Sequence, residues 1–97
     1  MLEKRIEAHL VKCVRELGGY AYKFSSPGNK GVTDRIILMP PREGETTGQI
    51  WFVEIKQDRG RLSALQELFG QICFRFGLNH RVLWNRDQVN EFIAEIA

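Results

Sequence analysis

The chain has 97 residues, enough for one domain with a real core and too few for two, so 1–97 reads as a single domain. Hydrophobic residues make up 43% and charged residues 27%, which argues against disorder, and no apolar run reaches membrane-spanning length. The charged start Met1-Leu2-Glu3-Lys4-Arg5 has no signal-peptide core, so a cytoplasmic or otherwise intracellular protein is expected, and a net charge of +2 is too small to argue for nucleic acid by itself.

Residues 3–17 read as an amphipathic helix. Ile6, Leu10, Cys13, Val14 and Leu17 fall at helical spacing, and Gly18-Gly19 supplies the stop. Glu7 lies near the border of that apolar stripe. It either looks toward the edge of the core or stays exposed, favoured by the helix dipole and paired with Lys4 or Lys12.

Tyr20 to Phe24 reads as a first strand, and Ser25-Ser26-Pro27-Gly28-Asn29-Lys30-Gly31 as a polar loop. The loop lacks the Gly-Lys-Ser/Thr of a phosphate-binding loop before a helix, which argues against a nucleotide cofactor. Its amides and Lys30 can still approach a nucleic-acid backbone. A second strand spans 33–39 and is ended by Pro40-Pro41. A polar connection from Arg42 to Gln49 leads to a third strand over Ile50 to Ile55, aromatic and β-branched almost throughout.

Gln57-Asp58-Arg59-Gly60 turns the chain. Ser63-Ala64-Leu65-Gln66 then fits a capping box, with Ser63 as N-cap and Gln66 at the third helical position. Leu62, Leu65, Phe69, Ile72 and Phe76 mark one face of the helix that follows, and Gly77 closes it. Arg81 to Trp84 is a fourth strand. A last helix starts at Asn85, with Gln88 at its third position and Trp84 stapled to Val89; it buries Val89, Phe92, Ile93 and Ile96. The order is helix, three strands, helix, strand, helix. Three strands in a meander and a crossover helix make one α/β domain with a mixed four-stranded sheet flanked by helices.

The chemistry concentrates on the third strand. Strand side chains alternate, so Ile50, Phe52, Glu54 and Lys56 leave one face and Trp51, Val53 and Ile55 the other. If strands two and three pair, Asp34 and Glu54 lie side by side, about 5 Å apart. Two carboxylates that close repel each other unless a cation sits between them. Lys23, Lys30 and Arg35 flank Asp34, and Lys56, Arg59 and Arg61 follow Glu54, a basic rim suited to a polyanion held over metal ions. The plainer alternatives are solvated charges and an ion-pair network at a sheet end.

Cys13 and Cys73 lie in helices among apolar neighbours and read as reduced core residues. Neither they nor His9 and His80 have metal-ligand spacing. Gln66 has an adequate explanation in capping.

An Asp on one strand and Glu-x-Lys on the next is the recognition pattern of the PD-(D/E)XK nucleases. Gly31-Val32-Thr33-Asp34-Arg35, Phe52-Val53-Glu54-Ile55-Lys56, Gly60-Arg61-Leu62-Ser63-Ala64-Leu65-Gln66 and Val82-Leu83-Trp84 come in the order and spacing of the virus-type replication–repair nuclease (VRR-NUC) family. The chain resembles a minimal stand-alone member of the kind found in phages and bacteria. Thr33 stands where many members have proline. The resemblance implies a restriction-endonuclease-like core and a DNA endonuclease. It implies Mg²⁺ or Mn²⁺ held by Asp34, Glu54 and the Ile55 carbonyl, with Glu7 as an outer acidic ligand. Lys56 would orient or deprotonate the attacking water, and Gln66 would stand near the site. It further implies a homodimer acting on branched DNA such as a Holliday junction in repair; from the residues, the apolar surface of the helix over 63–76 or that of the last helix could supply the interface. A non-catalytic nucleic-acid-binding module on the same fold is the competing expectation.

Overall fold

Three segments rich in β-branched and aromatic residues form the centre of the protein, a computed structural model of which describes residues 2–24 and 33–97. They are β1 (Tyr20–Lys23), β2 (Arg35–Met39) and β3 (Gln49–Ile55), preceded by α1 (Glu3–Glu16). After them come α2 (Ala64–Arg75), β4 (His80–Leu83) and α3 (Arg86–Ile96). The sheet order is β1-β2-β3-β4. β1, β2 and β3 are an antiparallel meander, and α2 carries the chain across so that β4 runs parallel to β3. The expected element order and mixed sheet are both present.

The two faces of the sheet are treated differently. On one, Ile37, Met39, Val53, Ile55 and Leu83 meet Ile6, Leu10 and Val14 of α1 and Val89, Phe92 and Ile96 of α3 in one buried cluster. Each such side chain contributes about 1.5–3 kcal/mol by leaving water, which makes this layer the main source of stability. Trp51 closes one side, edge-on to Phe92 with ring centroids 5.1 Å apart. Arg81 lies over the same two rings and donates to Glu95 Oε2 at 2.5 Å.

Among the described residues the opposite face carries α2 alone. Phe69 meets Phe52 and His80 edge-on, each at 5.7 Å. Of this helix only Cys73 is buried, and Leu65 and Phe76 are 51% and 64% exposed. The expected inward face of Leu62, Leu65, Phe69, Ile72 and Phe76 is thus displaced, with Phe69 and Cys73 directed inward and Leu65 and Phe76 outward. The cause is tertiary. A lone helix over a four-stranded sheet touches a narrow strip, and Gly70, whose added Cβ would stand 3.1 Å from the His80 ring, sets which strip it is.

Local signals account for the element ends. The capping box at Ser63 is complete, with Gln66 N donating to Ser63 Oγ at 3.1 Å and Ser63 N donating to Gln66 Oε1 at 2.9 Å. Asn85 caps α3 by accepting from Gln88 N at 2.8 Å, and the Gln88 side chain reaches one residue further back, to Trp84 N. Gly48 marks the entry to β3. A Cβ there would stand 2.2 Å from the Met39 carbonyl oxygen, so this position has no room for any side chain. Both cysteines are free, Cys73 buried and Cys13 half-buried beside His9.

Candidate active site

The register decides what meets at the end of the sheet. Arg35 pairs with Val53, and one further step of the same antiparallel register sets Asp34 opposite Glu54. Asp34 sits on the bend just before β2, and the end of β1 braces it there, since Phe24 N donates to the Asp34 carbonyl oxygen at 3.0 Å. Its carboxylate accepts from Ile55 N at 3.0 Å. That bond crosses from strand to strand and holds Asp34 against the β3 backbone beside Glu54.

Glu54 is only 2% exposed. Its Oε1 accepts from the Gln66 side-chain amide of α2 and lies 3.9 Å from Lys56 Nζ. Burial, followed by the charge of Asp34, pushes the Glu54 carboxyl up from 4.5 to about 7, against the opposing pull of Lys56. The site therefore contains a buried acid that gains or loses a proton near neutral pH.

Gln66 serves two structures with one side chain. Its carbonyl oxygen closes the capping box and its amide donates to Glu54. The helix start is thereby fastened to the acid on β3. Lys56 is positioned by the sheet, because its backbone N donates to the Leu83 carbonyl oxygen at 2.9 Å and extends the β3–β4 pairing one residue. Immediately beyond, Gly60 N donates to the Gln57 carbonyl oxygen, and Arg59 takes a left-handed φ of 67° that favours glycine. The tight turn starts α2 close enough to the strand for Gln66 to reach back.

The remaining candidates divide. Glu7 is engaged by Arg35, whose Nε donates to Glu7 Oε2 at 2.7 Å and whose Nη1 donates to the Ala21 carbonyl oxygen at 3.0 Å. That pair stands on the α1 side of the sheet, whereas Glu54 and Lys56 leave the α2 side. Among the described residues no group of three His, Cys, Asp or Glu side chains is gathered for a metal. Lys23, Arg59 and Arg61 are exposed at the same end of the sheet, and Lys30 lies outside the described residues. The Glu7–Arg35 link was not foreseen from the sequence; opposite charge was the available signal, across a separation of 28 positions. The role of Thr33 was likewise not foreseen: it is 1% exposed, and its Oγ1 donates to the Arg35 carbonyl oxygen at 3.4 Å across the bend that presents Asp34.

The donor set fits a small hard cation. Two adjacent carboxylates, one of them kept from full ionisation first by burial and then by its neighbour, form a site that a divalent ion would neutralise.

No family model matches the chain. It is 41% identical over 81 residues to "Putative nuclease p44" of Acyrthosiphon pisum secondary endosymbiont phage 1, a match covering 84% of this chain and 78% of that protein. A solved structure described as a VRR_NUC domain superposes with a TM-score of 0.84 at 26% identity, covering 98% of this chain and 97% of the other.

Proposed function

Given that the chain belongs to the VRR-NUC family of nucleases, we propose that it is a divalent-metal-dependent DNA endonuclease, active in the cytoplasm as a homodimer and selective for branched DNA. The observation that carries this reading is the placement of Asp34 against Glu54, with Lys56 and Gln66 on the same Glu54 oxygen.

Asp34 and Glu54, with the Ile55 carbonyl, would hold Mg²⁺ or Mn²⁺. The ion would neutralise charge on the scissile phosphate and acidify a bound water. The protein's own groups do the rest. Glu54 must be ionised to serve as a ligand, so its displaced pKa makes the site sensitive to pH near neutrality. Lys56, anchored by its backbone to β4, directs its ammonium at the same oxygen. As the ammonium it can orient the attacking water and stabilise charge on the phosphorane, and only as the neutral amine would it take the water's proton. Gln66 fixes the Glu54 rotamer through its amide. Arg59, Arg61 and Lys23 supply exposed positive charge for the flanking backbone. One copy cuts one strand, and a two-fold pair would allow symmetric incisions at a branch.

The test is a gel assay on branched and linear DNA with Mg²⁺, Mn²⁺ or EDTA. Metal-dependent product on branched DNA is expected. Asp34→Ala, Glu54→Ala and Lys56→Ala should each slow cutting by roughly a thousandfold or more, at about 1.4 kcal/mol per tenfold. Near-full activity in folded Glu54→Ala would reject the site, and a metal-independent shift without product would favour a binding module.

A further inference from the structure

A cavity of about 380 Å³ adjoins the acid site on the flank of α2 that turns toward β4. Gln66 lines its end nearest the start of α2, and the same side chain donates to Glu54. Whatever fills the cavity therefore touches a neighbour of the buried acid. From Gln66 it follows the helical stripe of Glu67, Gly70, Gln71 and Phe74, about 12 Å along the helix. His80 lines it from β4, and the missing side chain at Gly70 leaves room for that ring.

The lining suits a nucleobase better than a phosphate. Leu62 and Phe74 supply apolar surface, and Phe74 is 88% exposed, a free aromatic face beside the cavity. Among the described residues no lysine or arginine lines it, so nothing there would hold the DNA backbone. The polar groups are instead the Glu67 carboxylate, which only accepts, the Gln71 amide, which donates and accepts, and the His80 imidazole. Burial, then the charge of Arg81, lowers the His80 pKa from 6.5, so at neutral pH this ring also offers one donor and one acceptor. None of the three is hydrogen-bonded within the described residues, and no buried polar atom there is left unpaired, so their polar ends open to solvent.

We propose that this cavity receives an unpaired nucleobase of the strand being cut, close to the scissile phosphate, with Phe74 stacked on the ring and Glu67 and Gln71 reading its edge. A base inside an intact duplex is stacked and paired, whereas one at a branch point can swing out, which ties the cavity to branched substrates. Because Glu67 only accepts, bases that present an exocyclic amino group fit better than thymine, whose pairing edge shows two carbonyl oxygens around a single N–H. This inference rests on the nuclease reading above and specifies what part of a branch is recognised.

The test is Mg²⁺-dependent cutting of branched DNA with one single-stranded arm, in which an abasic nucleotide is walked through the strand around the cut. At one position, loss of the base should raise the native KM roughly tenfold with little change in kcat. Phe74→Ala should show that raised KM on the complete strand and no further rise from the abasic nucleotide. Its circular dichroism should match the native chain, since the side chain is so exposed. At the same position thymine should be cut less well than the other bases, and Glu67→Gln, which adds a donor, should bring thymine level with them. Equal KM on every abasic strand, or the same tenfold step in Phe74→Ala as in the native chain, would overturn the base cavity and leave the nuclease reading intact. A thymine penalty that survives Glu67→Gln would overturn the reading of the edge by Glu67. A native protein that cuts none of these strands in Mg²⁺ or Mn²⁺ would overturn both the cavity and the nuclease reading.

Discussion

Glu54 concentrates the tension in this protein. It is buried beside a second carboxylate, and its carboxyl is displaced from 4.5 to about 7. Between those two values the folded chain keeps a proton that the unfolded chain has released. The associated stability is fully present below about 4.5 and is lost as pH rises through about 7. The melting temperature of the metal-free protein in EDTA should therefore fall across that window, and Glu54→Gln should flatten the fall. At about pH 8 the same variant should be more stable than the native chain, by on the order of 1–3 kcal/mol, while losing cleavage. An unchanged pH slope in Glu54→Gln would show that another group controls it. Metal binding should release this proton, so affinity should rise with pH up to about 7 and level off above it.

At the scale of elements, α2 holds the site by its first turn. Ser63→Ala removes the hydroxyl acceptor for Gln66 N and should cost about 1 kcal/mol, or roughly 5 °C in melting temperature. Cutting should fall less than tenfold, because Gln66 can still reach Glu54. Gln66→Ala should lose similar stability yet cut far more slowly, since Glu54 loses its amide donor as well. Equal loss of activity in the two variants would make Gln66 a capping residue and nothing more. The connection between β2 and β3 has its own requirement. Gly48→Ala drives a methyl group into the Met39 carbonyl oxygen and should cost on the order of 2–4 kcal/mol, read by urea denaturation.

For the molecule as a whole, ligand binding and folding are linked. An ion that binds only where Asp34 and Glu54 are brought together stabilises the folded state, by about 2.7 kcal/mol at a hundredfold excess over its dissociation constant. Mn²⁺ should raise the melting temperature of the native chain and leave Asp34→Ala unmoved. Equal shifts in both would place the ion elsewhere. Two helices cover one side of the sheet and one covers part of the other. That asymmetry leaves part of the α2 side of the sheet uncovered among the described residues.

Much of this was legible in the residues themselves. Strand segments at 20–24, 33–39 and 50–55, rich in aromatic and β-branched residues, a capping box at Ser63 and an Asn85 cap are local features, and local physics places them within a residue or two. Strand alternation also put Glu54 and Lys56 on one face, and the pairing of strands two and three put Asp34 beside them. Other features depended on chain segments meeting across space. The register that sets Asp34 against the Ile55 amide, the capture of Glu7 by Arg35, and the strip of α2 that meets the sheet are of this kind. Periodicity shows that a helix has an apolar side. It does not show which part of that side its neighbour is wide enough to cover, and so Leu65 and Phe76, expected inside, stand in solvent.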